Sequence, residues 1–221
     1  MLGSLLVVAK CPVPGQTKTR LCPPLTSQQA ADLYECFLYD TLEIMRQVPS
    51  VQCAIGYLPR DAREYFQQLA PDMQLICQRG ETLGERLDNL LADALEGGVG
   101  CAVVIGSDSP TLPEEYIRQA FVLLATVDVV IGPAQDGGYY LIGMKKSHPS
   151  LLRQVRMSTP QVLSDTLALA QSTGATVSLL PAWYDVDTVD DLRRLLAESD
   201  ELGDGIAQHT RRWLAKATGG D

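Results

Sequence analysis

Ala102-Val103-Val104-Ile105-Gly106-Ser107-Asp108-Ser109-Pro110 is an apolar, β-branched run that stops in a glycine, two serines, a proline and one carboxylate. Consecutive apolar residues suit a strand buried on both faces, the kind found in parallel sheets covered by helices. The residue before a proline is pushed out of helical geometry, so the chain turns outward after Asp108. In an open α/β sheet, ligands bind at this carboxyl edge. A second acidic segment, Asp185-Val186-Asp187-Thr188, also stands where an extended stretch gives way to a helix signal.

Similar apolar runs recur at 5–9, 51–57, 73–77, 127–131, 139–144 and 176–180, with helix-period stretches between most of them. This alternation predicts a mostly parallel sheet flanked by helices. Helix starts are signposted by capping-box spacing at Thr26/Gln29, Thr82/Glu85 and Thr111/Glu114. Pro160 after Thr159 reads as a first-turn proline. Leu33, Phe37, Leu38, Thr41, Leu42 and Met45 form an inward stripe on the first helix. The pattern changes at Ile131-Gly132-Pro133-Ala134-Gln135-Asp136-Gly137-Gly138-Tyr139-Tyr140-Leu141, where two strands are joined by a Gly-rich turn too short for a crossover helix. Such a pair is antiparallel, so the sheet is expected to be mixed. One domain is expected over 1–221, with an appended turn and helical tail from about 199, the final helix near 206–217.

The 221 residues are 46% hydrophobic and 20% charged, ordinary for a folded domain. The net charge of −9 argues against coating nucleic acid or an anionic membrane, and makes any local basic cluster more noticeable. Six cysteines form no CxxC pair, and with only two histidines a zinc site is not expected. Unpaired cysteines suit a reducing cytoplasm. The first apolar run lacks a preceding charged region and reads as a strand, not a signal peptide. No apolar run approaches the roughly 18 residues a membrane helix needs.

The loop after the first strand, Lys10-Cys11-Pro12-Val13-Pro14-Gly15-Gln16-Thr17-Lys18-Thr19-Arg20, carries three cations. A Walker A loop would need glycines where this chain has Pro12 and Thr17, and proline has no N–H for a phosphate. A stiff basic loop remains, either solvated or set to hold phosphate oxygens through an arginine fork and lysine point charges. Gln78-Arg79-Gly80-Glu81-Thr82-Leu83-Gly84-Glu85-Arg86 opens the helix after the third strand. Gly80 and Gly84 there could admit a ligand or simply close packing. Asp108 could ligate Mg²⁺ through oxygen or cap its own turn. Asp185-Val186-Asp187-Thr188-Val189 matches the DxDx[TV] signature of haloacid-dehalogenase-type phosphatases, whose first Asp attacks phosphorus. That motif belongs on an early strand, and here only about 30 mostly helical residues follow. Thr188 could equally be a helix N-cap, with Asp190 and Asp191 in the first turn.

Taken in order and spacing, four segments resemble the DUF2064 group: Ala9-Lys10 through Lys18-Thr19-Arg20-Leu21, Gly106 through Pro110, Gly132 through Gly143, and Asp185 through Thr188. That group is labelled glycosyltransferase-like, or rSAM/selenodomain-associated transferase, within the nucleotide-diphospho-sugar transferase superfamily. More distantly the layout is similar to phospholactate and molybdenum-cofactor guanylyltransferases. The resemblance implies a GT-A-type three-layer α/β/α sandwich with a mixed, mostly parallel sheet. It implies that Lys18 and Arg20 hold nucleotide phosphates, with Lys10, Gly15, Gly80 and Gly84 completing the nucleotide site. It also implies Asp108 and Asp187 as ligands of Mg²⁺ or Mn²⁺. Gly137, Gly138 and Tyr139 would face the acceptor, and Lys18, Asp108 and Asp136 would form the catalytic set. Asp108 lies in Ser-Asp-Ser, departing from the Asp-x-Asp of many GT-A enzymes.

The function expected is transfer of a glycosyl group from a nucleotide sugar to a small acceptor. Nucleotidylyl transfer from a nucleoside triphosphate to a phosphorylated small molecule is the alternative. Neither nucleic acid nor membrane is an expected partner, and the sequence leaves the oligomeric state open. A phosphatase or a non-catalytic nucleotide-binding protein are further readings. Asp108 and Asp187 carboxylates more than about 10 Å apart would defeat a shared metal site.

Overall fold

The computed structural model describes residues 2–199 and 201–218. Strand β1 (Gly3–Lys10) leads through a loop and a 3-10 turn (Thr19–Leu21) into helix α1 (Ser27–Gln47). There follow β2 (Val51–Leu58), α2 (Arg63–Leu69), β3 (Gln74–Cys77), α3 (Leu83–Glu96), β4 (Cys101–Ile105) and α4 (Glu114–Leu123). The second half contains β5 (Val129–Pro133), β6 (Tyr139–Met144), α5 (Ser150–Arg153), α6 (Val162–Thr173), β7 (Val177–Leu179), α7 (Val189–Glu198) and α8 (Gln208–Thr218). All seven expected strands are present, with ends shifted by a residue or two.

The strands form one sheet in the order β3-β2-β1-β4-β6-β5-β7. Strand β6 is antiparallel to both of its neighbours, and the other pairs are parallel. The Gly-rich segment therefore makes the antiparallel pair expected of it, and β6 is inserted between β4 and β5. Side chains alternate to two buried faces. Leu5, Val7 and Ala9 join a core with Phe37 and Leu42 of α1 and Leu192 of α7. Leu6, Ala102 and Val104 join another with Leu87, Leu90 and Leu91 of α3 and Leu151 of α5. These two cores make the three layers of the sandwich. Each fully buried large side chain contributes roughly 1.5–3 kcal/mol, so the doubly covered strands anchor the edge on which the site is built.

Capping boxes close at Thr26/Gln29 and Thr82/Glu85, and Thr188 with Asp191 makes a third. Thr111 does not cap. Helix α4 begins three residues later with Pro113 at the N-cap, and Thr111 is buried in the preceding loop. Pro160 likewise lies ahead of α6, whose N-cap is Gln161, and packs against Gly137 instead. In both cases tertiary packing of the preceding loop overrides the local signal. The stripe from Leu33 to Met45 is buried as expected, and the final helix starts at Gln208, two residues late. The cysteines are free thiols, with Cys101 buried. Among the described residues no helix is long and apolar enough to cross a membrane.

Candidate functional site

Parallel strands β1, β2, β3 and β4 end on one side of the sheet, and β1 runs three residues past β4, since Val7 pairs with Ile105 and Lys10 with Leu58. The extra length is tied down by Tyr34 of α1. Its hydroxyl accepts from the Lys10 amide at 3.2 Å and shares a 2.8 Å hydrogen bond with Ser107 Oγ. Burial, with the Asp108 charge adding to it, pushes the Tyr34 phenol up to about 12, so it remains a neutral strut between the two strand ends.

The acidic segment 185–187 reaches this edge by backbone pairing. Trp183 donates to Pro133 O and receives Gln135 N–H, extending the β5 ladder, and the Val186 amide donates to Asp108 O at 2.8 Å. That last bond ties the 185–187 segment to Asp108. Ser109 Oγ donates to Asp185 Oδ1 at 2.5 Å. Desolvation, countered by that bond and reinforced by the Asp108 charge, lifts the Asp185 carboxyl to about 6.

Lys18 closes the arrangement. Its Nζ lies 2.9 Å from Asp108 Oδ1 and 2.6 Å from Asp187 Oδ1, and its side chain is only 6% exposed. Both aromatic rings of Tyr34 and Phe37 are within 6 Å of the ammonium, at 5.9 and 5.8 Å from their centroids. Burial works against the charged form, but the two carboxylates outweigh it and hold the lysine protonated. Asp187 shows the reciprocal effect: burial opposes its ionisation, yet Lys18 draws its carboxyl below the usual range. Arg20 adds an outer contact, 3.7 Å from Asp187 Oδ2. Two carboxylates sharing one ammonium at hydrogen-bond distance lie well within reach of a common cation.

The cluster forms one wall of a cavity of about 490 Å³, within the range of small-molecule sites. Lys10, Gln78, Arg86, Ser107, Tyr139 and Ser158 are among its other polar lining residues, over an apolar floor that includes Val104 and Ile142.

The family model described as "Uncharacterized protein conserved in bacteria (DUF2064)" matches residues 41–159. The chain belongs to the DUF2064 family. The DUF2064 protein is 33% identical to a proposed nucleotide-diphospho-sugar transferase from Desulfovibrio desulfuricans G20. That crystal structure superposes with a TM-score of 0.91 over 98% of this chain and 95% of the other. CMP:2-keto-3-deoxy-manno-octonic acid synthetase complexed with CTP shares the fold at 13% identity, with a TM-score of 0.58 and coverage of 90% and 99%. Rv0371c from Mycobacterium tuberculosis H37Rv, in its manganese complex, does so at 18% identity, with a TM-score of 0.52 and coverage of 88% and 97%. No curated protein matches the sequence.

In this DUF2064 protein the cavity brings together Lys10, Lys18, Arg20, Asp108, Tyr139 and Asp187 of the residues expected from sequence. The other expected residues sit elsewhere. Gly15 is exposed on the basic loop, and Gly80 on the turn before α3. Gly84 is buried where α3 crosses α5: a Cβ there would meet Leu152 O at 2.1 Å. Asp136 is exposed and accepts the Gly138 amide at 2.9 Å, the bond of an Asx turn. Gly137, at φ 92°, presses against Pro160, whose carbonyl oxygen a Cβ would meet at 2.1 Å. The Gly-rich turn of this DUF2064 protein thus carries a tight hairpin, and none of 136–138 lines the cavity.

Gln78 and Arg86 also line the cavity, although neither belongs to a motif of its own. Gln78 is buried and donates to Gly56 O at 2.6 Å, bracing β2 against the loop after β3. Arg86 lines the cavity while its Nε is buried without a hydrogen-bond partner. An arginine in the first turn of a helix that faces the carboxyl edge was the available signal.

A separate group, Asp40, Glu43 and His209, brings ligand atoms within 4.8 Å of one another. Asp40 there accepts the His209 and Thr210 amides and the Thr210 hydroxyl, and His209 Nε2 meets Glu43 at 3.0 Å. These bonds dock the start of α8 on α1 and saturate Asp40.

Proposed function

We propose that the protein is a nucleotide-dependent transferase that holds a nucleotide diphosphate group and a divalent cation at Asp108 and Asp187. The observation that carries this reading is the meeting of both carboxylates at Lys18 in the wall of a cavity at the carboxyl edge. The donor set is carboxylate oxygen, which suits Mg²⁺ or Mn²⁺ and not a soft metal. Asp108 and Asp187 would hold that ion, which supplies charge neutralisation on the diphosphate as a bond to it breaks. Lys10, Lys18 and Arg20 would hold the phosphate oxygens around it, fixing the diphosphate before charge develops. Arg86, whose Nε has no partner, would bind another part of the substrate. Asp136 is left out of the catalytic set, because its carboxylate is engaged in the hairpin turn.

Glycosyl transfer is the first reading, supported by the likeness to the Desulfovibrio protein along nearly its whole length. The acceptor oxygen would bond to the anomeric carbon as the nucleoside diphosphate leaves. Nucleotidylyl transfer is the second, supported by the cation-rich loop, which suits a triphosphate tail. There an acceptor phosphate oxygen would bond to the α-phosphorus as pyrophosphate leaves. A haloacid-dehalogenase-type phosphatase is less well supported, since Asp185 is occupied by Ser109 and stands beside two further carboxylates. The free thiols fit work in the cytoplasm.

Product analysis separates the readings. The protein is incubated with Mg²⁺, panels of nucleotide sugars and nucleoside triphosphates, and pooled phosphorylated and hydroxylated small molecules. Release of nucleoside diphosphate identifies glycosyl transfer and release of pyrophosphate identifies nucleotidylyl transfer. Release of inorganic phosphate alone, lost in Asp185→Asn, would replace both with the phosphatase.

A further inference from the structure

We propose that Lys18 occupies the metal position in the resting site and leaves it only when nucleotide and metal arrive together, so that the two ligands bind as a pair. This rests on the reading of Asp108 and Asp187 as the metal-holding carboxylates.

The geometry makes the ammonium and the ion alternatives. Lys18 Nζ is within hydrogen-bond distance of one oxygen of each carboxylate. Asp108 and Asp187 would hold a Mg²⁺ or Mn²⁺ through the same carboxylate oxygens, so the ion and the ammonium would compete for them. The side chain, 6% exposed and with its ammonium 5.9 and 5.8 Å from the Tyr34 and Phe37 ring centroids, already holds the two oxygens that the ion would take. One cation has to go.

The local backbone supplies a second observation. Lys18 holds φ 48° and ψ 38°, the left-handed region that side-chain-bearing residues rarely adopt. The conformation aims the side chain inward just where the basic loop enters its 3-10 turn. Pro14, Gly15 and Gln16 ahead of it are exposed. Turn 13–17 is closed by its own bonds, with Thr17 Oγ1 accepting the Val13 amide at 3.0 Å and Thr17 N donating to Val13 O at 3.1 Å. Lys18 is therefore the first residue past a rigid turn, placed so that a rotation there and in its four-carbon stem swings the ammonium into the cavity.

Charge sets the order of events. Metal alone would expel a buried ammonium from two carboxylates into a cavity wall that already carries Arg20 and Arg86. A nucleotide brings phosphate oxygens, so the displaced ammonium exchanges a carboxylate partner for a phosphate one while the ion takes its former place. Each ligand then raises the affinity of the other by the same factor, as linkage requires.

Binding of Mn²⁺ alone, read from the electron paramagnetic resonance of the free ion, tests this without turnover. Wild type should bind weakly. Lys18→Met should bind tighter by about tenfold or more, and Lys18→Arg, which keeps the charge, should stay weak. Equal or weaker binding by Lys18→Met overturns the proposal. So does tight Mn²⁺ binding by wild type that Asp108→Asn abolishes, an outcome that needs no Lys18 variant to fold. Mixed nucleoside triphosphates and nucleotide sugars with Mg²⁺ are run in parallel on wild type and Asp108→Asn. Stabilisation there that depends on Asp108 leaves the metal reading standing even where the Lys18 proposal fails, and its absence removes both.

Discussion

Lys18 Nζ donates to Asp187 Oδ1 at 2.6 Å across 169 residues of chain. The bond ties the loop after the first strand to the turn before α7, and Asp108 at the end of β4 completes it. Three distant segments therefore share one charge cluster.

Asp187→Asn takes one of two charges from that buried ammonium. Breaking a fully buried pair costs about 3–5 kcal/mol, but Asp108 and Asp187 side chains are 38% and 39% exposed. Screening by solvent reduces the expected loss to roughly 1–2 kcal/mol. Urea unfolding of the metal-free protein at neutral pH should show it as a lower midpoint with an unchanged slope.

Asp185 titrates in the opposite sense to Asp187. With its carboxyl lifted to about 6, the native state holds a proton that the unfolded chain releases near pH 4. Stability from this group is thus greatest below the unfolded value and falls as pH rises through about 6. Asp185→Asn mimics the protonated form. It should stabilise the metal-free protein by roughly 2 kcal/mol at pH 8 and by nothing below pH 4. A gain independent of pH would contradict the assignment. Asp187, held low by Lys18, contributes stability that is lost only as pH falls below the ordinary carboxylate range, so the two windows do not overlap.

The hairpin turn separates structure from catalysis. Gly137→Ala meets a carbonyl oxygen at 2.1 Å in a left-handed conformation, and thermal melts should show a loss of about 2 kcal/mol or more. Asp136→Ala removes one exposed side chain to backbone bond and should cost about 1 kcal/mol. Its turnover, once a substrate is in hand, should stay within a few-fold of wild type. A loss of about 100-fold would return Asp136 to the catalytic set.

Arg86 has no partner for its Nε and makes one exposed bond of 3.3 Å from Nη1 to Glu81 O, so Arg86→Met should cost no more than about 1 kcal/mol. Steady-state kinetics should show KM raised by roughly tenfold with little change in kcat, the pattern of lost ground-state binding.

The sheet was legible because its strands are buried on both faces and announce themselves as apolar runs, and because three of the four helix caps read from threonine spacing obey local rules. Thr111 failed as a cap because its loop is packed by tertiary contacts. The site was legible where a residue type and a strand end coincide, as at Asp108. Asp136, Gly137 and Gly84 were read toward ligands although the same residues serve an Asx turn and two close packings, which composition alone does not distinguish. Lys18 was expected to face phosphates. Its place between Asp108 and Asp187 depends on which long side chain finds the carboxylates first in the folded chain, and no local spacing encodes that.

Asp108 as anchor of a metal–nucleotide complex is the proposal on which the others depend. Thermal melting of wild type and Asp108→Ala with nucleoside triphosphates and nucleotide sugars, each with and without Mg²⁺, tests it most directly, since a ligand that binds the native state raises the melting temperature. At least one nucleotide should stabilise wild type in the presence of Mg²⁺, and Asp108→Ala should lose that shift. Equal stabilisation of both proteins by every ligand would contradict it.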